Sequence, residues 1–131
     1  MAFQNSSTGP TLTIGSAFVN QNPSSPEHLW IVVAVTKEGN AVIFNVTTTR
    51  PGCDATCPIV VGDHPFVKHD SVIAYGRGQL VTPETFAVLQ KAGCSMERAA
   101  SVELVNRIRE GAMKSPFTPQ RLQVAIAAIV S

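Results

Sequence analysis

The chain has 131 residues, of which 44% are hydrophobic and 15% are charged, and its formal net charge is +1. This length fits one domain that buries a core without disulfide or metal support, and the composition excludes a globally disordered chain. The near-neutral charge excludes a general electrostatic attraction to nucleic acid, so any such binding requires a local basic patch.

The N-terminal residues lack the basic and apolar regions of a signal peptide, and no apolar run approaches the roughly 20 residues that span a bilayer. Three cysteines, Cys53, Cys57 and Cys94, are an odd number, which argues against a disulfide framework. We therefore expect a cytoplasmic protein that has no membrane partner.

Residues 1–27 are rich in Ser, Thr, Asn, Gln and Pro, and they predict a short strand followed by a flexible loop. Residues 11–14 alternate as a strand does, and residues 17–19 continue the pattern. We expect residues 20–26 to form the loop and the first ten residues to be mobile.

Residues 28–131 predict a single domain. Residues 29–35 and 41–48 are apolar and β-branched, and the segment 37–40 between them contains Gly39 and Asn40, which suit a hairpin turn. Shorter strands are predicted at 58–61, 71–75 and 79–81. The hairpin is the strongest local prediction in the chain.

After Thr82 the apolar period becomes helical. Thr82 and Pro83 form a capping pattern for a first helix, which Gly93 ends. A second helix has an apolar stripe from Ser101 to Ala112 and is expected to end at Gly111. A third helix is predicted over residues 118–129, and its apolar tail predicts that it lies in the core or at a dimer interface. Strands followed by helices predict an α+β fold, with helices packed on a small β-barrel or curled sheet.

The order of these segments resembles plasmid-maintenance toxins of the PemK, Kid and MazF type. The resemblance covers about residues 28–80: an apolar strand, a turn, a strand ending Asn45-Val46-Thr47-Thr48, and later Asp70-Ser71-Val72 before another strand. It implies a small SH3-like barrel, usually a homodimer, that acts as a toxin. Many members are endoribonucleases that use no metal or other cofactor, and an antitoxin protein covers the active groove.

Thr47, Thr48 and Arg50 lie at the end of a predicted strand. Arg50 is a candidate for stabilising a phosphorane-like transition state, and a threonine hydroxyl is a candidate for bonding a phosphate oxygen. Alternatively, the threonines fill an edge strand and Arg50 is solvated.

The most informative segment is residues 62–71, which hold two of the three histidines. His64 and His69 are candidates for the general base and acid of RNA cleavage, because histidine titrates near neutral pH. Asp63 and Lys68 are candidate binding residues beside them. Alternatively, the segment is a constrained turn in which Asp63 caps backbone amides.

Cys53, Cys57, His64 and His69 form a second candidate site, because their chemistry suits zinc. Alternatively, the cysteines are small buried apolar residues. Three hypotheses follow for the chain: a toxin-like endoribonuclease without a cofactor, a non-catalytic protein-binding module of the same fold, or a zinc-stabilised interaction protein.

Overall fold

The computed structural model describes residues 12–20 and 27–130. The elements in chain order are β1 (Ala17–Asn20), β2 (Leu29–Val35), β3 (Ala41–Thr48), β4 (Pro58–Ile59), β5 (Ser71–Val81), α1 (Pro83–Lys91), β6 (Cys94–Glu97), α2 (Val102–Lys114) and α3 (Gln120–Val130). The predicted α+β class is confirmed.

The strands form an antiparallel sheet in the order β4-β5-β3-β2-β1-β6. Strands β4 and β6 are its two edges, and within the described residues the sheet does not close on itself. An SH3-like barrel is therefore not confirmed. Strand β1 lies between β2 and β6, so this N-terminal strand is part of the same sheet.

The hairpin of β2 and β3 is confirmed. Its turn is closed by a hydrogen bond from the Thr36 amide to the Asn40 carbonyl (2.8 Å) and by one from the Asn40 amide to the Thr36 hydroxyl (3.1 Å). Gly39 has φ +87°, a conformation that favours glycine. A bulge at Val33 leaves that residue's carbonyl to accept a hydrogen bond from Arg109 Nε (2.7 Å), which ties α2 to β2.

The N-terminal segment is only partly as predicted. Strand β1 begins at Ala17, but residues 12 and 13 have no regular structure and Ile14 and Gly15 form a turn, so the strand predicted at 11–14 is wrong over its described part. The Gly15 amide donates to the Val32 carbonyl (2.8 Å), and Gly15 has φ +95°. The predicted mobile N-terminus and the loop after Asn20 lie outside the described residues.

Strand β5 joins two predicted strands into one. Ile43 pairs with Gln79 and Asn45 with Ala74, so the four residues 75–78 lie opposite the single residue Phe44. Such a bulge bends the strand and redirects its side chains. Gly78 permits it, because a Cβ there would lie 2.6 Å from Phe44 Cδ1 and 2.7 Å from Leu122 Cδ1.

The three helices occur where the sequence predicts them. Thr82 caps α1 and Ser101 caps α2, each by accepting a backbone N–H with its hydroxyl. The expected end of α2 at Gly111 is wrong, since the helix continues to Lys114. Gly111 serves a close approach instead, because the Tyr75 ring occupies the space a side chain would need.

Apolar side chains cover both faces of the sheet. The larger core lies between the sheet and helices α2 and α3 and includes Phe44, Tyr75, Ile108 and Leu122. A smaller core on the opposite face contains Phe18 and is covered by Phe86 of α1.

Strand β6 was not predicted, since Cys94–Glu97 lacks a run of β-branched residues and is held mainly by its pairing with β1. None of the described helices is both long enough and apolar enough to cross a membrane.

The bulge in β5 provides a test of the packing. Gly78→Ala should lower the free energy of unfolding by about 2 kcal/mol, because the added methyl overlaps Phe44 and Leu122. Gly76→Ala is the matched control, since its Cβ would meet Phe117 Cβ at an ordinary 3.6 Å. Both substitutions reduce the entropy of the unfolded chain alike. Urea denaturation measures the difference, and equal stability of the two variants would contradict the packing.

Candidate functional site

An open cleft of about 990 Å³ lies where the end of β3 meets the start of β5. Its walls come from these two strands, from the residues just before β2, from the loop that follows β3, from the loop that precedes β5, and from the connection between α2 and α3. We call it the β3–β5 cleft. Another pocket, lined by residues of β1, β2 and α1 among others, holds only about 90 Å³.

The five lining residues predicted for catalysis or binding are Thr47, Thr48, Arg50, Lys68 and His69. Their proximity follows from the register, since Thr48 pairs with Ser71 and the Thr49 amide donates to the Asp70 carbonyl (3.2 Å). Arg50 and His69 therefore leave the sheet at the same end of adjacent strands. Both are exposed to solvent. Their chemical roles stay predictions.

His64 does not line the cleft. It is 3% exposed, the Phe66 amide donates to its Nδ1 (3.0 Å), and its Nε2 lies 2.6 Å from the Arg98 carbonyl. An amide can only donate and a carbonyl can only accept, so the ring is the neutral tautomer with its proton on Nε2. With both nitrogens engaged, His64 has no atom for proton transfer. The ring joins the turn to the segment before α2, and its predicted catalytic role stays a prediction that these two hydrogen bonds disfavour.

Asp63 also lies outside the cleft lining. Its carboxylate accepts the Val60 amide (2.9 Å) and both terminal nitrogens of Arg107 (2.9 and 3.2 Å). The Arg107 guanidinium, with a smaller contribution from the Val60 amide, holds the pKa of this carboxyl below its usual range. The alternative in which Asp63 caps a turn describes it better than a role in binding.

The predicted zinc ligands are not assembled. Cys57 is buried against α2, where its thiol faces the Arg107 carbonyl (3.9 Å) and burial raises its pKa. Both nitrogens of His64 are already bonded, and Cys53 and His69 line the cleft. Across residues 12–20 and 27–130, no group of three or more His, Cys, Asp or Glu side chains is placed to hold a metal ion.

Three further residues of the cleft were not predicted: His28, Arg77 and Phe117. His28 precedes β2 and lies across from Thr47, because Leu29 pairs with Val46. Arg77 is exposed at the top of the β5 bulge, between Gly76 and Gly78. The Gly-Arg-Gly sequence inside a strand is a signal for a bulge, and it could have identified Arg77. No local pattern connects Phe117 with β3 and β5.

The wall that carries Phe117 is fixed by a small polar network. Asp54 accepts hydrogen bonds from the Ser115 hydroxyl (2.6 Å) and from the Thr56 amide (3.0 Å), and the Thr56 hydroxyl also bonds it. Burial alone would raise the pKa of Asp54, yet the hydrogen bonds from Ser115 and Thr56 outweigh burial and hold that pKa below its ordinary value. The network joins the loop after β3 to the end of α2.

The cleft contains charged side chains of both signs, and only some of them already have bonding partners within the protein. Arg50, Lys68 and Arg77 are cations, whereas Glu27 and Asp54 are anions. Asp54 is held by its network, and Arg50, Lys68 and Arg77 have no ion pair among the residues that the structure describes. The three cations are thus available to an anionic ligand.

In comparisons with protein-family models and with curated proteins, the chain matches neither a family nor a curated sequence.

The two histidines of the segment 62–71 should differ in their effect on stability. His64→Ala should lower the free energy of unfolding by about 2–4 kcal/mol, because it leaves the Arg98 carbonyl and the Phe66 amide without partners. His69→Ala, at an exposed position, should change it by less than about 0.5 kcal/mol. Urea denaturation measures the free energy of unfolding of both variants, and a fully stable His64→Ala protein would rule out the structural role.

The Asp63–Arg107 pair should make stability depend on pH. A carboxyl whose pKa is lowered on folding stabilises the fold above its unfolded-state pKa, and this contribution is lost as pH falls through the folded-state value. Asp63→Asn should therefore cost about 0.5–1 kcal/mol at pH 7, since the pair is partly exposed. This cost should fade below the ordinary carboxyl pKa of 3.8. The exposed Asp70→Asn is the control, and a cost for Asp63→Asn that is constant with pH would contradict the ion pair.

Proposed function

We propose that the β3–β5 cleft binds RNA and cleaves it without a metal ion. The observation that carries this proposal is the gathering of Arg50, His69 and the Thr47–Thr48 pair in one open cleft, although they come from separate segments of the chain. Arginine, histidine and hydroxyl groups are the side chains that this chemistry uses at neutral pH.

The reaction requires a base that takes the proton of the 2′-hydroxyl as its oxygen attacks phosphorus, and an acid that protonates the leaving 5′-oxygen. His64 is unsuited to either task, whereas His28 and His69 both line the cleft. His28 immediately precedes β2 and His69 lies just before β5, and β3 lies between these two strands, so the two histidines flank the end of β3 that carries Thr47 and Thr48. Neighbouring strands are about 5 Å apart, so β2 and β5 are separated by about 10 Å, which leaves room for one phosphodiester between the two imidazoles.

In this proposal Arg50 stabilises the negative charge that develops on the phosphoryl oxygens, because its guanidinium is always protonated and donates two parallel hydrogen bonds. The hydroxyls of Thr47 and Thr48 are assigned hydrogen bonds to a phosphate oxygen. Lys68 and Arg77, on the cleft walls, are assigned neighbouring phosphates of the strand.

The same proposal includes the relationship to toxins of the PemK, Kid and MazF type. Support comes from the antiparallel β2–β3–β5 arrangement, whose segments have the order and the Asp-Ser-Val element of those proteins. In this proposal the sheet is an opened version of their SH3-like barrel, and the protein works in the cytoplasm as a homodimer under the control of an antitoxin. The proposal needs no cofactor.

The test uses the purified full chain with a mixed RNA at neutral pH in the presence of EDTA. RNA cleavage is expected, and Arg50→Ala should slow it by about 100- to 1,000-fold, because it removes a preorganised donor to the transition state. His69→Ala and His28→Ala should each slow it by about 100- to 10,000-fold. Gel electrophoresis of the RNA measures the rates.

Lys37→Ala is the matched control, since Lys37 is an exposed cation in the β2–β3 turn, outside the cleft lining. The Lys37→Ala variant should cleave RNA at the wild-type rate. Intact RNA at high protein excess would overturn the proposal and favour the non-catalytic binding module. Cleavage that survives both Arg50→Ala and His69→Ala would place the reaction elsewhere.

A further inference from the structure

Phe117 is a large aromatic side chain that the fold leaves in the open. It is 61% exposed, whereas Phe18, Phe44 and Phe86 are each at most 4% exposed. Its ring is part of the wall of the β3–β5 cleft. An exposed phenylalanine on a surface is unremarkable alone, but this one lies in the same concavity as three cations.

The position of Phe117 is fixed by its backbone. The Phe117 amide donates to the Ser115 hydroxyl oxygen (3.1 Å), and that hydroxyl donates to Asp54 (2.6 Å). Ser115 is 3% exposed and ends α2, and α3 begins at Gln120. The ring is therefore presented between two helices, and little conformational entropy is lost when a ligand contacts it.

The β5 bulge, which carries the cation Arg77, lies next to the segment that carries this ring. A Cβ at Gly76 would lie 3.6 Å from Phe117 Cβ, so the bulge and the α2–α3 connection are in near contact. Arg77 follows Gly76 directly and also lines the cleft. Arg50 and Lys68 lie on other walls of the same cleft.

Cations that follow a backbone together with an exposed aromatic face are the combination by which proteins hold single-stranded nucleic acid. We propose that Phe117 is a stacking platform for one base of a single strand whose phosphates lie on Arg77, Arg50 and Lys68. This inference rests on the proposed function, and it adds a base-binding subsite that the reaction itself does not require. A paired base has both faces covered by its neighbours, so the subsite selects an unpaired one.

The experiment compares two short single strands of deoxyribose phosphate, one carrying thymine at every position and the other abasic throughout. Neither has a 2′-hydroxyl, so neither can be cleaved by the proposed reaction. The wild-type chain should bind the thymine strand more tightly than the abasic strand. Phe117→Ala should weaken binding of the thymine strand by about 5- to 150-fold and leave binding of the abasic strand unchanged. Fluorescence anisotropy of labelled strands measures both affinities.

Two further variants separate stacking from other roles of the side chain. Phe117→Tyr keeps an aromatic face and should retain the preference for the thymine strand, whereas Phe117→Leu keeps only apolar area and should lose it. Urea denaturation of each variant should show wild-type stability, since the ring is mostly exposed. If Phe117→Leu binds like the wild type, stacking is wrong and an apolar partner such as a protein segment fits the site better.

The remaining outcomes distinguish this inference from the proposed function. If Phe117→Ala weakens the binding of both strands equally, or weakens the binding of neither, the platform is wrong. RNA cleavage by the wild type would still support the proposed reaction in that case. A base preference that depends on Phe117 without any RNA cleavage supports the platform and overturns the reaction. A wild-type chain that binds neither strand overturns the platform.

Discussion

The packing of Tyr75 against α2 is the constraint from which the rest of the structure follows. Tyr75 is fully buried in β5, its hydroxyl donates to the Ile108 carbonyl (2.7 Å), and Phe44 meets its ring edge-on at 5.0 Å between centroids. A buried hydroxyl requires a partner, so this hydrogen bond fixes both the height and the rotation of α2 over the sheet. Burial raises the pKa of the phenol, which keeps it neutral. The contact is feasible because Gly111 has no side chain in the space that the ring fills.

The cleft is a consequence of this packing. The bulge at residues 75–78 begins with Tyr75 itself, Gly78 permits it by leaving the space between Phe44 and Leu122 free, and Arg77 in the bulge is exposed. With α2 held in place, its last turn brings Ser115 to Asp54, and the chain that follows carries Phe117 to the opposite wall. The residues that could bind a ligand are thus positioned by the same contacts that close the core. The candidate site is accordingly built at the end of the sheet.

Local pattern predicts most of the elements of this fold, but not how they are arranged. The β2–β3 hairpin and the three helices follow from β-branched runs, caps and apolar stripes, each of which acts within a few residues. Strand β6 has no such signal, since its pairing with β1 joins residues about 75 positions apart. For the site, the sequence predicts Arg50 from the end of a strand and His69 from the segment 62–71, which holds two of the three histidines. It cannot predict that His64, five residues away, is buried and bonded to Arg98, because that depends on a distant carbonyl. Gly111 likewise resembles a helix end until Tyr75 is known to lie against it.

The distribution of charge reconciles a nearly neutral chain with an anionic ligand. The net charge of +1 implies no long-range attraction, and part of the basic content of α2 is used within the fold: Arg107 binds Asp63, and Arg109 binds the Val33 carbonyl. The Asp63 carboxylate offsets the charge of Arg107, and the hydrogen bond to Val33 holds the Arg109 guanidinium against β2. The cations of the cleft, in contrast, have no ion pair among the described residues, and the nearby Asp54 carboxylate is engaged by Ser115 and Thr56. In the proposed function the attraction for phosphate is local to the cleft, because exposed charges farther away than a Debye length of about 8 Å are largely screened.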